Sequence, residues 1–236
     1  MKMTDLNQKI KNELLHLGAD IVGFGSLDEL PADVRESMPI GISVAAVYPK
    51  EIIRGIAQLP TREYYKWYLK LNEQLDAIVT SGAKLLNEMG YKAIAQTRKQ
   101  VGFGYKEDST ILPHKTIATR AGIGWIGKCA LLVTDKYGSA MRISSILTDA
   151  PLDVAVPVNK SRCGNCMTCV EACPAKAATG KLWETHIYRD EFFDSVKCRM
   201  TVRERSKQAF NNEEISICGK CIEICPHTQK YTCGAG

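Results

Sequence analysis

Nine of the ten cysteines in this 236-residue chain lie between Cys163 and Cys233, and none precedes Cys129. That crowding constrains the fold more than any other feature. The first two thirds must draw stability from an ordinary apolar core, whereas the last third can draw it from ligands held by thiols. The N-terminal stretch MKMTDLNQKIKNELL starts an amphipathic helix without the apolar core of a signal peptide, and no run of 18 apolar residues occurs. A cytoplasmic protein with no membrane span is therefore expected. In a reducing compartment thiols at this density read as metal or redox chemistry rather than as disulfides. The rest of the composition, 45% hydrophobic and 24% charged, is globular and excludes a disordered or fibrous chain.

Two modules follow, 1–155 and 156–236, separated by the proline-flanked stretch Asp149 to Pro157, which suits an extended crossing. In the first module, Leu6, Ile10, Leu14 and Leu17 recur at helical spacing and Gly18 stops the helix. Residues 21–24 and 42–48 read as buried strands. Tyr64, Tyr68, Leu71, Leu75, Ile78, Leu85 and Met89 give one long helix an apolar face, with Gly90 as its cap. Residues 91–97, 131–134 and 140–147 are further strand candidates, the last two joined through a turn at Tyr137-Gly138-Ser139. Helices mixed with partly adjacent strands predict an α+β layer.

In the second module, Cys163-x-x-Cys166-x-x-Cys169-x-x-x-Cys173-Pro174 has the spacing of a bacterial ferredoxin run, in which three thiolates grip one [4Fe-4S] cube and the fourth reaches a second cube. Cys218-x-x-Cys221-x-x-x-Cys225-Pro226 is the same pattern short of one cysteine, which Cys198 can supply. The expected partition is Cys163, Cys166, Cys169 and Cys225 on cluster one, with Cys173, Cys198, Cys218 and Cys221 on cluster two. Zinc knuckles share the C-x-x-C element, but a four-cysteine zinc site has no use for a third cysteine at that spacing or for a repeated Cys-Pro ending. Two thiolate-ligated cubes predict low-potential electron transfer, helped by nearby cations such as Lys160, Arg162, Lys176, Arg203, Arg205 and Lys220, each of which could equally form a solvated basic face.

Gly122-Ile123-Gly124-Trp125-Ile126-Gly127 spells the dinucleotide fingerprint, but a helix precedes it and a strand follows, so no helix N-terminus faces a pyrophosphate. Three glycines so close mean that backbone approaches either another chain segment or a flat cofactor. The stretch LPHKTIATRAGIGWIGKCALLVTDKYGSAMRISSILTDAPL, followed by CGNCMTCVEACP, CRMTVRER and CGKCIEICPH, resembles the epoxyqueuosine reductase family, which is related to the reductive dehalogenases. The resemblance implies a corrinoid-binding α+β domain of nitroreductase-like type followed by a ferredoxin-like domain with two [4Fe-4S] clusters. It also implies that a cobalamin receives electrons from the clusters and that an Asp protonates the substrate. By position Asp108 matches that Asp, although read alone it would cap the helix that follows. Gly122, Gly124, Trp125, Gly127 and Lys128 match the loop placed against the corrin, and Cys129 stands where the family usually has Asn. Trp125 could equally be a core aromatic and Lys128 a surface charge, while Cys129 could be a small buried filler or a thiol in contact with cobalt or substrate.

The chain ends eleven residues after Cys225, without the helical repeats with which full-length members hold tRNA, so a small-molecule substrate is expected in place of tRNA. A cobalamin-binding D-x-H-x-x-G motif is absent, and His16, His114, His186 and His227 are scattered. The leading expectation is a cobalamin-dependent iron-sulfur reductase served by a ferredoxin- or flavodoxin-type donor. The alternative is a ferredoxin-like electron carrier without corrinoid. The formal charge of +5 falls to about +1 once eight thiolates and two oxidised cubes are counted, so it compensates for clusters rather than attracting nucleic acid.

Overall fold

The computed structural model describes residues 5–101 and 110–234. In chain order the elements are α1 (Asp5–His16), β1 (Ile21–Ser26), β2 (Ile40–Val47), α2 (Lys50–Arg54), α3 (Arg62–Glu88), β3 (Ala93–Gln96), α4 (Arg98–Val101), α5 (His114–Arg120), β4 (Trp125–Ile126), β5 (Leu132–Val133), β6 (Met141–Thr148), α6 (Thr168–Glu171), α7 (Ser195–Ala209), α8 (Lys220–Glu223) and α9 (Pro226–Cys233). Among the described residues no helix is long and apolar enough to cross a membrane.

The chain divides into two compact units, and neither is contiguous. The first comprises Met1–Ala46, Leu71–Ile123 and Arg142–Val158, and the second Val47–Lys70, Gly124–Met141 and Asn159–Gly236. A single cut near residue 155 thus captures only the last crossing, because residues 47–70 and 124–141 group with the cysteine-rich segment. The reason is local packing: a Cβ on Gly219 would meet Ile56 Cδ1 at 2.4 Å, and one on Gly138 would meet Thr228 N at 2.3 Å. The cysteine-rich stretch has few apolar residues of its own and completes its core with these borrowed segments.

In the first unit a sheet of order β1-β2-β6-β3 forms the central layer. β1 and β2 run antiparallel with Ile21 opposite Ala45, and β3 and β6 run antiparallel with Ala93 opposite Thr148. β2 is buried through all but its last residue, as its continuous apolar run requires. Helix α5 lies directly on this layer: a Cβ on Gly25 would sit 2.5 Å from the Arg120 and Ala121 backbone, and one on Gly41 would sit 2.6 Å from Ile117 Cγ2. Helix α3 approaches α1 and β6 as closely at Gly82, where a Cβ would meet Leu14 and Ile146 at 2.7 Å. The proline-flanked crossing is fastened to this unit. The Asn7 amide donates to Asp153 O and accepts from Asp153 N, both at 2.8 Å, Ala155 N bonds Phe24 O at 2.9 Å, and Val158 N bonds Thr119 O at 2.9 Å.

In the second unit β4 and β5 pair antiparallel with Trp125 opposite Val133. The expected hairpin between residues 131–134 and 140–147 does not form. β5 pairs with β4 and β6 joins the other sheet, while the turn at Gly138 closes only a bridge between Thr134 and Gly138. Gly138 holds φ 57 and lies against α9, whose Thr228 hydroxyl accepts from Ser139 N at 3.1 Å. Helix α9 is further tied by Tyr231, whose hydroxyl donates to Tyr48 O at 2.9 Å, and by the Arg54 guanidinium on Thr232 O.

Candidate metal centre

The two Cys-Pro runs fold alike. In each, a glycine with positive φ, Gly164 or Gly219, opens a turn after the first cysteine, and a four-residue helix, α6 or α8, carries Cys169 or Cys221. Helices this short have almost no intrinsic stability, so their conformation depends on what their thiols hold. Cys198 arrives separately, in the first turn of α7, whose N-terminus is capped by the Asp194 carboxylate accepting from Lys197 N at 2.9 Å.

The structure brings cysteines together in two places. Cys173, Cys198, Cys218 and Cys221 line one cavity, and Cys129 and Cys169 also reach its wall beside Phe193 and Val202. Cys225 lies within electrostatic reach of Cys169 and Cys163; burial raises its thiol above the ordinary value, those two sulfurs add to the rise, and the N–H groups of Thr228 and His227 oppose it. Other donors point at sulfur as well. Trp125 Nε1 donates to Cys163 Sγ at 3.4 Å, Ala177 N to Cys173 Sγ at 3.5 Å, and the Thr168 hydroxyl lies 3.3 Å from Cys166 Sγ. Hydrogen bonds of this kind are what tune a thiolate-held cluster.

The glycine loop faces the same chemistry. A Cβ on Gly124 would lie 2.1 Å from Val133 O, and one on Gly127 would lie 2.9 Å from Val133 Cγ2, 3.5 Å from Cys129 Sγ and 3.7 Å from Cys163 Sγ. At both positions another chain segment demands the glycine. Trp125 is fully buried, edge-on to His227 at 5.0 Å between centroids. Lys128, 4% exposed, donates to Cys166 O at 3.0 Å and to Met167 Sδ at 3.3 Å, so it is not a surface charge. Cys129 is buried and shares the wall of the cavity with Cys169 and Cys221. The Cys169 contact lowers this thiol's pKa, but the Cys221 contact and burial outweigh it and push the thiol well above its ordinary value. Gly122, in the first unit, holds φ 67 close to Val156 O. Asp108 lies outside the described residues.

The cations singled out from sequence near the ligands are largely matched by other groups. Arg162 pairs with Asp135, Arg203 with Glu214, Lys160 with Glu184 and Lys220 with Glu223, while Lys176 bonds Glu171 O and Arg205 bonds Gln58 O. The buried cation beside the first run is Lys128, and no spacing rule in the sequence marks it for that place.

Residues 162–228 match the 4Fe-4S double cluster binding domain family. The chain is similar to an epoxyqueuosine reductase of Pseudomonas aeruginosa, with 34% identity over 207 residues covering 85% of this chain and 49% of that protein. The chain thus spans about half the length of that relative. Among solved structures it resembles an epoxyqueuosine reductase bound to an epoxyqueuosine-modified tRNA stem loop, with TM-score 0.61, 18% identity, and coverage of 95% of this chain and 65% of that one. It also resembles a reductive dehalogenase whose structure suggests a mechanism for B12-dependent dehalogenation, with TM-score 0.66, 19% identity, and coverage of 92% and 31%. These two structural likenesses establish the fold.

Proposed function

We propose that this relative of the epoxyqueuosine reductases is an iron-sulfur reductase that passes low-potential electrons through two [4Fe-4S] clusters to a corrinoid, where a small molecule is reduced with Asp108 as proton donor. In this reading the first unit is the nitroreductase-like, corrinoid-binding α+β body, and a ferredoxin or flavodoxin supplies the electrons. The observation that carries the cluster half is the convergence of Cys173, Cys198, Cys218 and Cys221, from three separate segments, on one cavity. Cys225 beside Cys163 and Cys169 supports the complementary set, with Cys166 as its fourth member. The donor set is all thiol, which fits [4Fe-4S] chemistry, and when bound the clusters supply one-electron transfer. The chain's own part is to hold eight thiolates, to aim N–H groups at them, to place the Lys128 ammonium beside the first run, and to exclude water with Trp125 and Phe193.

The corrinoid half rests on the family. The side chains of Trp125 and Lys128 hydrogen-bond to the first cysteine run, and Gly124 and Gly127 lie against Val133. That commitment favours a second reading, an electron-transfer protein without corrinoid that serves a partner redox enzyme.

Anaerobic reconstitution should load about eight iron and eight sulfide per chain, and zinc without sulfide would sink both readings. Titration of the loaded protein into cob(II)alamin, followed by EPR, separates them. A changed cobalt spectrum supports the reductase, and an unchanged one leaves the electron carrier. With corrinoid bound, Asp108→Asn should keep binding and lose turnover, whereas retained turnover would return Asp108 to helix capping.

A further inference from the structure

Helix α7 presents two different faces. Cys198, Thr201 and Val202 lie at helical spacing and line the cavity of the second cysteine set. On the other side Val196, Met200, Arg203 and Lys207 form one stripe, at successive spacings of four, three and four residues. Val196 is 52% exposed and Met200 61%, and Tyr188, 82% exposed, precedes the single turn Arg189–Glu191 that leads into the helix. Exposed Met and Tyr side chains are enriched where proteins meet one another. The charge around them is positive. Lys197, Arg199, Arg203, Arg205 and Lys207 stand on α7 with one acid, Glu204. Asp194 pairs with Lys197 at 3.2 Å, and the single carboxylate of Glu214 serves both Arg203 at 3.3 Å and Lys207 at 3.1 Å. Five cations against these three acids leave two positive charges in excess. The pairs are open to water, so they are screened and an incoming carboxylate can take their cations.

We propose that the outer stripe of α7 is the docking surface for the electron donor, a small acidic carrier of ferredoxin or flavodoxin type, which reduces the second cube across this helix. The inference rests on the two-cluster reading and gives its donor a place to bind. The step moves a single electron: the carrier's reduced centre is oxidised, the second cube is reduced, and no bond forms or breaks. The stripe lies one helix away from the cavity, about 10 Å, and Cys198 belongs to both the helix and the ligand set. Redox encounters bury little surface, under about 1,200 Å², so one helix face and its neighbouring turn are large enough. Val196 and Met200 supply the apolar centre, and the cations steer the acidic partner and fix its orientation.

The test follows, in stopped flow, the reduction of the reconstituted full chain by photoreduced flavodoxin, an acidic carrier, and by dithionite, a reductant too small to need a docking face. Iron is counted in every protein, with about eight per chain expected. Transfer from flavodoxin to the unmodified protein should slow as salt is raised. Met200→Glu should slow it on the order of tenfold, and Lys207→Glu should slow it by a similar factor and flatten the salt dependence. Leu15→Glu, which alters an exposed apolar residue of α1, should change nothing, and dithionite should reduce every protein at the same rate. Unchanged flavodoxin rates in both α7 variants, or a rate that rises with salt, would overturn the proposal. Equal slowing with dithionite would overturn it in another way, by placing the effect in the cube itself. Slowing in Asn165→Glu alone would move electron entry to the exposed turn of the first run. Fewer than eight irons in the unmodified protein would instead refute the two-cluster reading on which the proposal stands.

Discussion

The two units hold themselves together by different means. The first has a four-stranded sheet whose inner strand β2 is buried almost end to end, and α1, α3 and α5 contribute Ile10, Leu14, Leu75, Ile78 and Ile117 to the core, all nearly inaccessible to solvent. The second has a two-stranded sheet of two-residue strands and carries its motif cysteines on turns and four-residue helices. A unit of the first kind is stabilised by apolar burial and tolerates the loss of any ligand. A unit of the second kind has too little regular structure for that, and its folding is coupled to what its thiols bind.

The largest expected effect follows directly. Removing iron and sulfide with a chelator under anaerobic conditions should abolish the ordered state of the second unit, leaving amide protection in hydrogen exchange concentrated on β1, β2, β6 and α3. Equal loss of protection in both units would break the contrast, and so would full retention in the second. Within the second unit, Cys218→Ala should lower iron from about eight to about four per chain and leave the EPR signal of the other cube. Loss of both cubes, or of neither, would contradict the partition.

Next in size is an acid response confined to the first unit. His114 starts α5 and places Nδ1 2.8 Å from Ser145 Oγ on β6. Burial, reinforced by Arg142 and opposed by Asp76, lowers its pKa to about 4 from the ordinary 6.5. The unfolded chain therefore takes up this proton first. Above about pH 6.5 the group is neutral in both states and contributes no pH dependence; as pH falls from there toward 4 the first unit loses stability, on the order of 3 kcal/mol over the full window. Denaturant melts at pH 7 and pH 5 check this. His114→Gln should flatten the difference, and an equal slope in the variant would assign the acid sensitivity elsewhere.

The parts that were legible in the sequence are those set by local rules. The apolar stripe from Tyr64 to Met89 became α3, with Gly90 at φ 90 just beyond it, and the helix after residue 113 and the strand after the glycine loop are both present, the wrong context for a Rossmann turn. What escaped depended on distant partners. Residues 131–134 and 140–147 look like a hairpin because the turn chemistry is right, but pairing is decided by Trp125 opposite Val133 and by β6 joining β3. The glycine loop left chain and cofactor as equal explanations, and at Gly124 and Gly127 the chain segment holding Val133 accounts for the spacing. From sequence Lys128 reads as part of the corrin-facing loop or as a surface charge, and only the folded turn shows its ammonium enclosed beside Cys166 and Met167.

That enclosure distinguishes the two proposed cubes. Lys220, at the cavity of the second set, is offset by Glu223 at 2.9 Å, whereas Lys128 donates to a carbonyl and a thioether, neither of which cancels its charge. The first cube should therefore be easier to reduce than the second, so that electrons run from the second toward the first. Lys128→Met keeps the aliphatic volume and removes the charge. It should lower the midpoint of the first cube and leave the second in place, narrowing or inverting their order. A larger shift in the second cube would reverse the assignment of Cys166 and Cys169.

Trp125→Phe is the finest test. The ring stays buried against His227, and only the indole N–H to Cys163 Sγ is lost. The stability cost should be about 1 kcal/mol, typical of one hydrogen bond. The midpoint of the first cube should fall, but by less than in Lys128→Met, because a neutral dipole at 3.4 Å acts more weakly on the cube than a full charge enclosed beside it. A shift as large as that of Lys128→Met would mean that the ring change had admitted water to the cluster, which iron retention after exposure to air would show as faster decay. No shift at all would remove Cys163 from the ligands, and with it the difference in surroundings that separates the two cubes.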